Sequence, residues 1–459
     1  MTRFALGCVF SALLAPGFVC AEEGSGRLQG AAQPLVSARE VSPKLREVAK
    51  SLIETLTQDK RMYPRLVTLC DRFGPRLSGS ANLERAIDWV LAEMVRDGLN
   101  NAHGEPVMVP RWVRQKEQLS LLQPSQETLP VLGFGGTVPT PAEGVTGNIL
   151  VVNRVEELMP GSATGRIVLF AAPFVSYEQN VPLRIFGANA AAQAGAKAAL
   201  LRSLTPQSLG TPHTGVTAYK PGIPQIPFAA ITTEDADRLA RLARAGVPIE
   251  AKLFLQNQDL PPSPSRNIVA EVRGRVHPEE VVVFGCHLDS WDVGQGAHDD
   301  GGNCVAAWHA LVALQKHRPA KTVRLVMWVN EENGLAGAKA YAKQHAHEKH
   351  VLGVEADAGV FRPTGWSFSG SEVAKAKVQQ AASLLGSMSA AAVESPGGGT
   401  DLRPLAEKGV PVVGLSVAGD RYFVYHHSAA DTVDKVNPAD LGQVAAALAV
   451  FVYGASELF

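Results

Sequence analysis

From residue 267 onward the chain repeats one pattern: an apolar run, a loop, a helical stretch, and an apolar run again. The runs at 267–272, 281–285, 323–329 and 350–356 are predominantly apolar, as strands covered from both sides require. Between them, 304–315 and 336–346 carry helical spacing. Strands alternating with helices predict an α/β fold: a mostly parallel mixed sheet flanked by helices. In open sheets of this kind, sites form beyond the carboxyl ends of the strands. The residues following each apolar run are therefore the candidates for chemistry.

The run ending at Gly285 delivers His287 and Asp289, which alternation puts on the same side. A glycine-containing loop then leads to Asp299 and Asp300, ahead of the helix from Cys304. The run 323–329 delivers Glu331 and Glu332, and 350–356 delivers Asp357. Further on, His426 and His427 lie in a loop-like segment that runs to Thr432. Singly, a glutamate pair reads as a solvated face and a lone histidine as structural. Gathered at strand ends, the carboxylates repel one another, and a bound dication removes that repulsion. Mixed carboxylate and imidazole ligands suit zinc. Two zinc ions sharing one carboxylate would clamp the attacking and leaving oxygens of a hydrolysis. Of the adjacent Glu331 and Glu332, one can hold metal while the other stays free as a base.

The rest of the chain divides around this core. Arg3, the apolar run 4–19 and the small residue Ala21 read as a signal peptide over 1–21, hence export. A lipid anchor on Cys20 is the alternative; the apolar run is short for a membrane span. Residues 22–42, rich in Gly, Ala and Ser, read as a flexible leader or propeptide. Residues 43–125 read as the first part of the catalytic domain. They hold helices at 43–57 and 64–73, and a third opened by Ser80 with Ile87, Val90, Leu91, Met94 and Val95 on one face. Strands are expected at 107–113 and, as its partner, 117–122. Residues 126–262 read as an inserted unit with strands at 147–152, 166–170, 198–201, 227–231 and 250–255. Its helices are expected at 188–195 and after Thr232 or Thr233. The proline-rich stretch 261–265 reads as a stiff linker, and 263–459 as the main part of the catalytic domain.

A net charge of −1 on 459 residues gives no field to steer nucleic acid or anionic lipid. Without Cys8 and Cys20, three cysteines remain, an odd count that does not describe a disulfide framework. Cys286 and Cys304 are expected as small packed residues.

The segments HLDS (287–290), GAHDDGG (296–302), NEENGLAG (330–337), EADAG (355–359) and YHHSAADT (425–432) together resemble the M28 family of dizinc exopeptidases. GPRLSGS (74–80), RAIDW (85–89), LLRS (200–203), the stretch 208–215 and TGWSFSGS (364–371) extend the resemblance over most of the mature chain. It implies that His287 and Asp357 hold one zinc, Glu332 and His427 the other, and that Asp299 bridges both. It implies Glu331 as general base and Asp289 as the residue orienting His287. His427 is preferred over His426 because it directly precedes Ser428; His426 is then a candidate substrate donor. His298 is expected to pack beside the site and Asp300 to brace the loop.

By the same resemblance the inserted unit is protease-associated-like, with Arg202, His213 and Tyr177 as polar residues within reach of substrate. Gly397, Gly398 and Gly399 resemble a substrate-side loop, from which Asp401 would take a peptide's ammonium group. The implied enzyme is an exported zinc metallopeptidase, a homodimer by resemblance alone, acting on dipeptides or short peptides. Two other readings stand beside it: a metal-free receptor on a peptidase scaffold, and another amide hydrolase such as a glutaminyl-cyclase relative. Less than one zinc per purified chain would favour the receptor.

Overall fold

The computed structural model describes residues 41–459, so the signal segment and nearly all of the leader lie outside the described residues. Three amphipathic helices open the described chain: α1 (Pro43–Thr57), α2 (Met62–Phe73) and α3 (Ala81–Arg96). Ser42 and Ser80 cap α1 and α3, accepting the N–H of Leu45 and Leu83 at 3.3 and 3.2 Å. The buried stripe of α3 is Leu83, Ile87, Val90 and Met94; Val95 turns out to solvent.

The chain continues through β1 (His103–Gln123), β2 (Glu127–Leu129), β3 (Val131–Gly133), β4 (Val145–Val152), β5 (Ile167–Phe170) and α4 (Tyr177–Gln193). Next come β6 (Ala198–Arg202), β7 (Phe228–Ile231), α5 (Thr233–Arg244) and β8 (Glu250–Val272). Then β9 (His277–His287), α6 (Gly302–Leu314), β10 (Lys321–Trp328), α7 (Ala336–Gln344) and β11 (Lys349–Glu355) alternate as expected. The chain ends with β12 (Pro363–Ser369), α8 (Glu372–Ser383), β13 (Ala392–Glu394), α9 (Arg403–Ala406), β14 (Val412–Val417), α10 (Tyr422–Tyr425) and α11 (Pro438–Leu458).

One half of the sheet runs β13-β12-β14-β11-β9-β10-β8. Its centre is parallel, with β9 flanked by β10 and β11, and β11 by β14; β8 runs antiparallel to β10, and β12 antiparallel to β14 but parallel to β13. This is the mixed sheet flanked by helices that the alternation predicts. Helices α6 and α11 are apolar nearly all round and almost wholly buried against it. By length and composition the 21-residue α11 could cross a membrane, yet 83% of its most apolar window is buried inside the protein. It is a core helix.

Two expectations fail along β1 and β8. The strands expected at 107–113 and 117–122 are one strand, β1, paired along its length with β8 and not with itself. The stretch 261–265 is no linker: it lies within β8, opposite β1. Prolines survive there because β10 pairs with β8 only at Ile268–Val272 and β4 only at Glu250–Leu253. Between those ladders β8 has one neighbour, and a missing N–H on its open side costs no bond. Register shifts after Val109, Arg114 and Leu121 mask the alternation that would have marked β1 as continuous.

Beyond β8 the sheet continues β4-β5-β6-β7-β3, with β4 to β7 parallel. This part buries apolar groups of its own, around Leu169 and Leu200 on one face and Phe170 and Phe228 on the other. Helix α5 is capped by Thr232, whose hydroxyl accepts Asp235 N–H at 3.0 Å. Helix α4 begins at Tyr177, eleven residues before the expected start, and carries Pro182 inside it. That proline and the polar residues around it break the apolar period, so only the alanine-rich end shows in the sequence.

Candidate metal centre and active site

Four chain segments converge at the carboxyl ends of the central strands. Strand β9 ends on His287, and the turn after β10 carries Glu331 and Glu332. Asp357 follows β11, and His427 follows α10. Two of the turns are in the left-handed backbone region, Asn330 at φ 69° and His427 at φ 59°. Asparagine and histidine are among the non-glycine residues that accept this most readily, and such positions cluster at functional sites.

His287 Nε2 lies 3.2 Å from Asp299 Oδ1 and 3.3 Å from Asp357 Oδ1. His427 Nε2 lies 3.2 Å from Asp299 Oδ2 and 3.0 Å from Glu332 Oε2. Asp299 therefore turns one oxygen to each histidine. All five side chains that the sequence nominates as metal ligands meet here. His426 reaches Asp299 only at 3.7 Å, its ring stacked on His427 with centroids 3.5 Å apart. The Glu331 carboxylate is half-buried and makes no hydrogen bond or ion pair among the described residues.

The donor set fits a divalent metal. Asp299 Oδ2 and Glu332 Oε1 are buried without a hydrogen-bond partner, although imidazole nitrogens stand close. Lone pairs aimed at a common point, not at each other's protons, are what ligands present. The electrostatics agree. Burial pushes Glu332 up to about 7, and the Asp299 charge adds to it. Burial also pushes Glu331 well above the ordinary carboxylate range, with His287 pulling it back and Asp357 and Glu332 raising it further. Burial pulls His287 and His427 down, but the surrounding carboxylates outweigh it and hold both well above the ordinary imidazole value. Packed carboxylates without a cation would repel; a dication relieves this.

The supporting residues are more numerous than the sequence suggests. Asp289, expected to orient His287, meets His287 Nδ1 with its backbone carbonyl at 2.9 Å. The carboxylate accepts the N–H of Glu331 at 3.2 Å, that of Glu332 at 3.4 Å, and the Ser78 hydroxyl at 3.2 Å. Strand β9 stops at His287, so alternation no longer governs where Asp289 points. Asp300 braces its loop, accepting His287 N–H at 3.2 Å and the Asn303 amide at 2.6 Å. His298 packs between the Phe361 and Tyr425 rings and accepts Val360 N–H at 3.1 Å.

Asp431 and Arg76 had no role assigned from the sequence. Asp431 accepts the N–H groups of His298 and Asp299 at 2.7 and 3.1 Å. Arg76, fully buried, donates to the carbonyls of Leu288, Gly74, Gln295 and Gly296 at 2.7–3.0 Å. Position within GPRLSGS and HSAADT was the only available signal for either. The cysteine expectation is overturned: Cys286 and Cys304 form a disulfide, with Cα atoms 5.4 Å apart. The end of β9 and the start of α6 bring them together, within the range a disulfide spans. An odd total never excluded one pair.

Of the candidate substrate residues, Asp401 is buried with neither carboxylate oxygen partnered. Burial and the neighbouring Glu355 and Glu331 charges hold it well above the ordinary carboxylate range. Glu355 itself anchors this loop, accepting Asp401 and Leu402 N–H at 3.3 and 3.1 Å. A side chain at Gly399 would overlap Glu355, so glycine is needed there. His213 is buried against the His427 loop, where residues 213 and 428 form an isolated bridge, and burial pulls its imidazole down to about 3. Tyr177 stacks on Phe423 and stands edge-on to His426. Arg202 points elsewhere, pairing with Asp237 at 2.9 Å.

Comparison with known proteins places this site in a class. The family model for peptidase family M28 matches residues 267–452. The human protein carboxypeptidase Q is 41% identical over 423 residues, covering 90% of this chain and 89% of the relative. The solved peptidase M28 precursor from Shewanella amazonensis SB2B superposes with a TM-score of 0.87 at 33% identity, covering 90% and 97% of the two chains. A zinc aminopeptidase from Bacillus subtilis shares the fold, with a TM-score of 0.64 at 19% identity over 86% and 94%. The chain belongs to peptidase family M28 and is, with that family, a metallopeptidase. Within the family its relatives include carboxypeptidase Q of human and mouse, each 41% identical to it.

Proposed function

We propose that this chain is an exported zinc exopeptidase that hydrolyses dipeptides or short peptides. His287 and Asp357 would hold one zinc, Glu332 and His427 a second, and Asp299 would bridge them. The observation that carries the proposal is the split Asp299 carboxylate, 3.2 Å from His287 through one oxygen and 3.2 Å from His427 through the other. Bound zinc would supply Lewis acidity, polarising the scissile carbonyl and lowering the pKa of water.

The chain's own residues supply the rest. Glu331, unpartnered beside this cluster, takes a proton from the attacking water and passes it to the leaving amine. Asp289 holds Glu331 and Glu332 through their backbone N–H groups, so the base keeps its place when its side chain changes charge. Asp401, buried and unpartnered, offers a counter-charge to a peptide's ammonium group. His426, 3.7 Å from Asp299, and His213, bridged to Ser428, stand on the His427 side.

Residues 126–262 act in this reading as a protease-associated-like insertion that closes the site. Thr214 from that segment donates to the His427 carbonyl at 2.8 Å, and its own carbonyl stands 3.3 Å from His427 Nδ1. Export is supported by the Cys286–Cys304 disulfide, which belongs to oxidising compartments. A homodimer, implied by resemblance alone, is read by sedimentation of the purified chain.

The test combines zinc content with a dipeptide panel, free and blocked at either end, with and without chelator. We expect up to two zinc per chain and cleavage that chelation abolishes and zinc restores. A fully zinc-loaded chain that cleaves no peptide in the panel would overturn the proposal.

A further inference from the structure

Thr214 belongs to the inserted segment, yet it holds a nominated metal ligand from outside. Its N–H donates to the His427 carbonyl at 2.8 Å, and its own carbonyl stands 3.3 Å from His427 Nδ1. A carbonyl only accepts, so Nδ1 must carry the proton of this bond. The Nε2 lone pair is then left to the side where Asp299 and Glu332 stand at 3.2 and 3.0 Å. Arg184 Nη1 lies 3.4 Å from the same Nδ1, but a guanidinium offers only donors, and this one donates to the Tyr177 hydroxyl at 2.7 Å. The acceptor is Thr214.

Thr214 is itself fixed by an ion pair that joins distant parts of the chain. Arg114, on β1, grips Asp292 in the loop after β9 as a fork, Nε to Oδ2 at 2.8 Å and Nη2 to Oδ1 at 3.0 Å. Its Nη1 donates to the Gly133 carbonyl at 2.6 Å and to Glu117 Oε1 at 2.9 Å. The same Gly133 carbonyl accepts the Thr214 hydroxyl at 2.9 Å, and Arg114 Nη2 reaches that hydroxyl at 3.4 Å. With the Arg114 and Asp292 side chains 11% and 21% exposed, the pair escapes most of the screening that makes surface pairs weak. Beside Asp292, Trp291 stands edge-on to His427 with ring centroids 5.6 Å apart. Its ring fills the space that a Cβ at Gly135 would need. The Asp292 loop thus backs one side of the His427 imidazole and Thr214 its Nδ1, and Arg114 ties the two together.

We infer that Arg114 is a positioning residue for the metal centre. By clamping Asp292 to the Thr214 loop it fixes the tautomer and tilt of His427, so that the Glu332–His427 metal position is complete only when the inserted segment is docked. This role rests on the zinc reading above and adds to it a dependence of one metal position on the insertion. The His287–Asp357 position is assembled differently. His287 Nδ1 meets the carbonyl of Asp289, two residues along the same loop, and needs nothing from residues 126–262. His427 needs β1, the Gly133 turn and Thr214 together. Partners that orient a metal-ligating histidine are worth about 10- to 100-fold in metal affinity, so the two positions should respond unequally when the clamp is broken.

The experiment strips the full chain of metal and titrates it with zinc against a chromophoric chelator. Arg114→Gln and Asp292→Asn should weaken, by about 10- to 100-fold, the zinc equilibrium that Glu332→Gln also weakens, and leave the other within a few-fold. Arg114→Lys, keeping the charge but not the fork, should fall between them and the parent. Arg238→Gln, which breaks the insertion's ion pair to Glu127, should change neither equilibrium. The tautomer is read without metal. In a chain labelled at histidine nitrogen, the Nδ1–H resonance of His427, assigned by its absence from His427→Gln, should be protected from exchange in the parent and lose that protection in Arg114→Gln. Zinc equilibria that both stay unchanged would overturn the inference. Equal weakening of both would overturn it too, reducing Arg114 to a general support for the fold, as would a protected Nδ1–H that survives Arg114→Gln. A parent that shows the unequal zinc response and the loss of protection yet cleaves no peptide would sink the peptidase reading and leave this role standing.

Discussion

The carboxylate of Asp431 accepts the backbone N–H of Asp299 at 3.1 Å and that of the preceding His298 at 2.7 Å. Asp431 belongs to the His427 loop, so one side chain ties the two halves of the candidate metal centre together. Burial pushes its carboxyl up to about 7, the two backbone bonds pulling against that and the Asp299 charge adding to it. Asp431→Asn puts an amide donor where one acceptor faces an N–H. Zinc affinity should fall about 10- to 100-fold, the usual cost of losing a residue that orients ligands. Competition with a chromophoric chelator measures it; an unchanged affinity would mean Asp299 is held by other means.

Glu331 offers a cleaner separation of holding metal from moving protons. Its carboxylate has no partner among the described residues, whereas Glu332 stands 3.0 Å from His427. Glu331→Gln should keep the zinc content of the parent and lose about 10²–10⁴-fold in kcat, the range for a removed general base. Glu332→Gln should lose zinc first. If Glu331→Gln lost zinc while Glu332→Gln kept it, the two roles would be exchanged.

The Cys286–Cys304 disulfide closes a loop with a sequence separation of 18, and that loop holds Asp299. Closing a loop of this size is worth about 3 kcal/mol in the chain-entropy account. Replacing both cysteines by serine should lower the melting temperature and weaken zinc binding together. Thermal scans with and without zinc would show this, and a melting point independent of both cysteines would argue against the pairing.

A pH effect is expected away from the site. Burial works to raise the Asp59 carboxyl, but hydrogen bonds from His309 and Arg61 outweigh it and hold it well below the ordinary carboxylate range. A carboxyl held down in the folded state contributes stability that is complete above its unfolded value near 3.8 and is lost as pH falls through the folded value. Asp59→Asn should therefore be less stable than the parent at neutral pH. The gap should narrow as the pH is taken below 4. Denaturant midpoints at several pH values measure it, and a gap that stayed constant would refute the assignment.

Much of the site could be read before folding because its ligands sit at strand ends. An apolar run followed at once by a carboxylate or imidazole needs no tertiary knowledge to be noticed, and His287, Glu331, Glu332 and Asp357 all follow such runs. The continuous strands β1 and β8 were illegible for the opposite reason. Bulges and prolines break the period that identifies a strand, and only the partner strand shows that pairing continues. Arg184 on α4, whose Nη1 stands 3.4 Å from His427 Nδ1, was equally hidden, in helical turns that Pro182 disguises.

Local order along the polymer thus settled which residue types stand at the ends of which strands, and with them the family and the chemistry on offer. Folding decided what each one touches. Asp289 turned its carbonyl, not its carboxylate, to His287, two cysteines of three became a pair, and a segment from another part of the sheet closed over His427. Periodicity is a short-range property carried by neighbours in sequence. Hydrogen-bond partners, burial and unpaired charge depend on groups hundreds of residues apart, and exist only once the chain has brought them together.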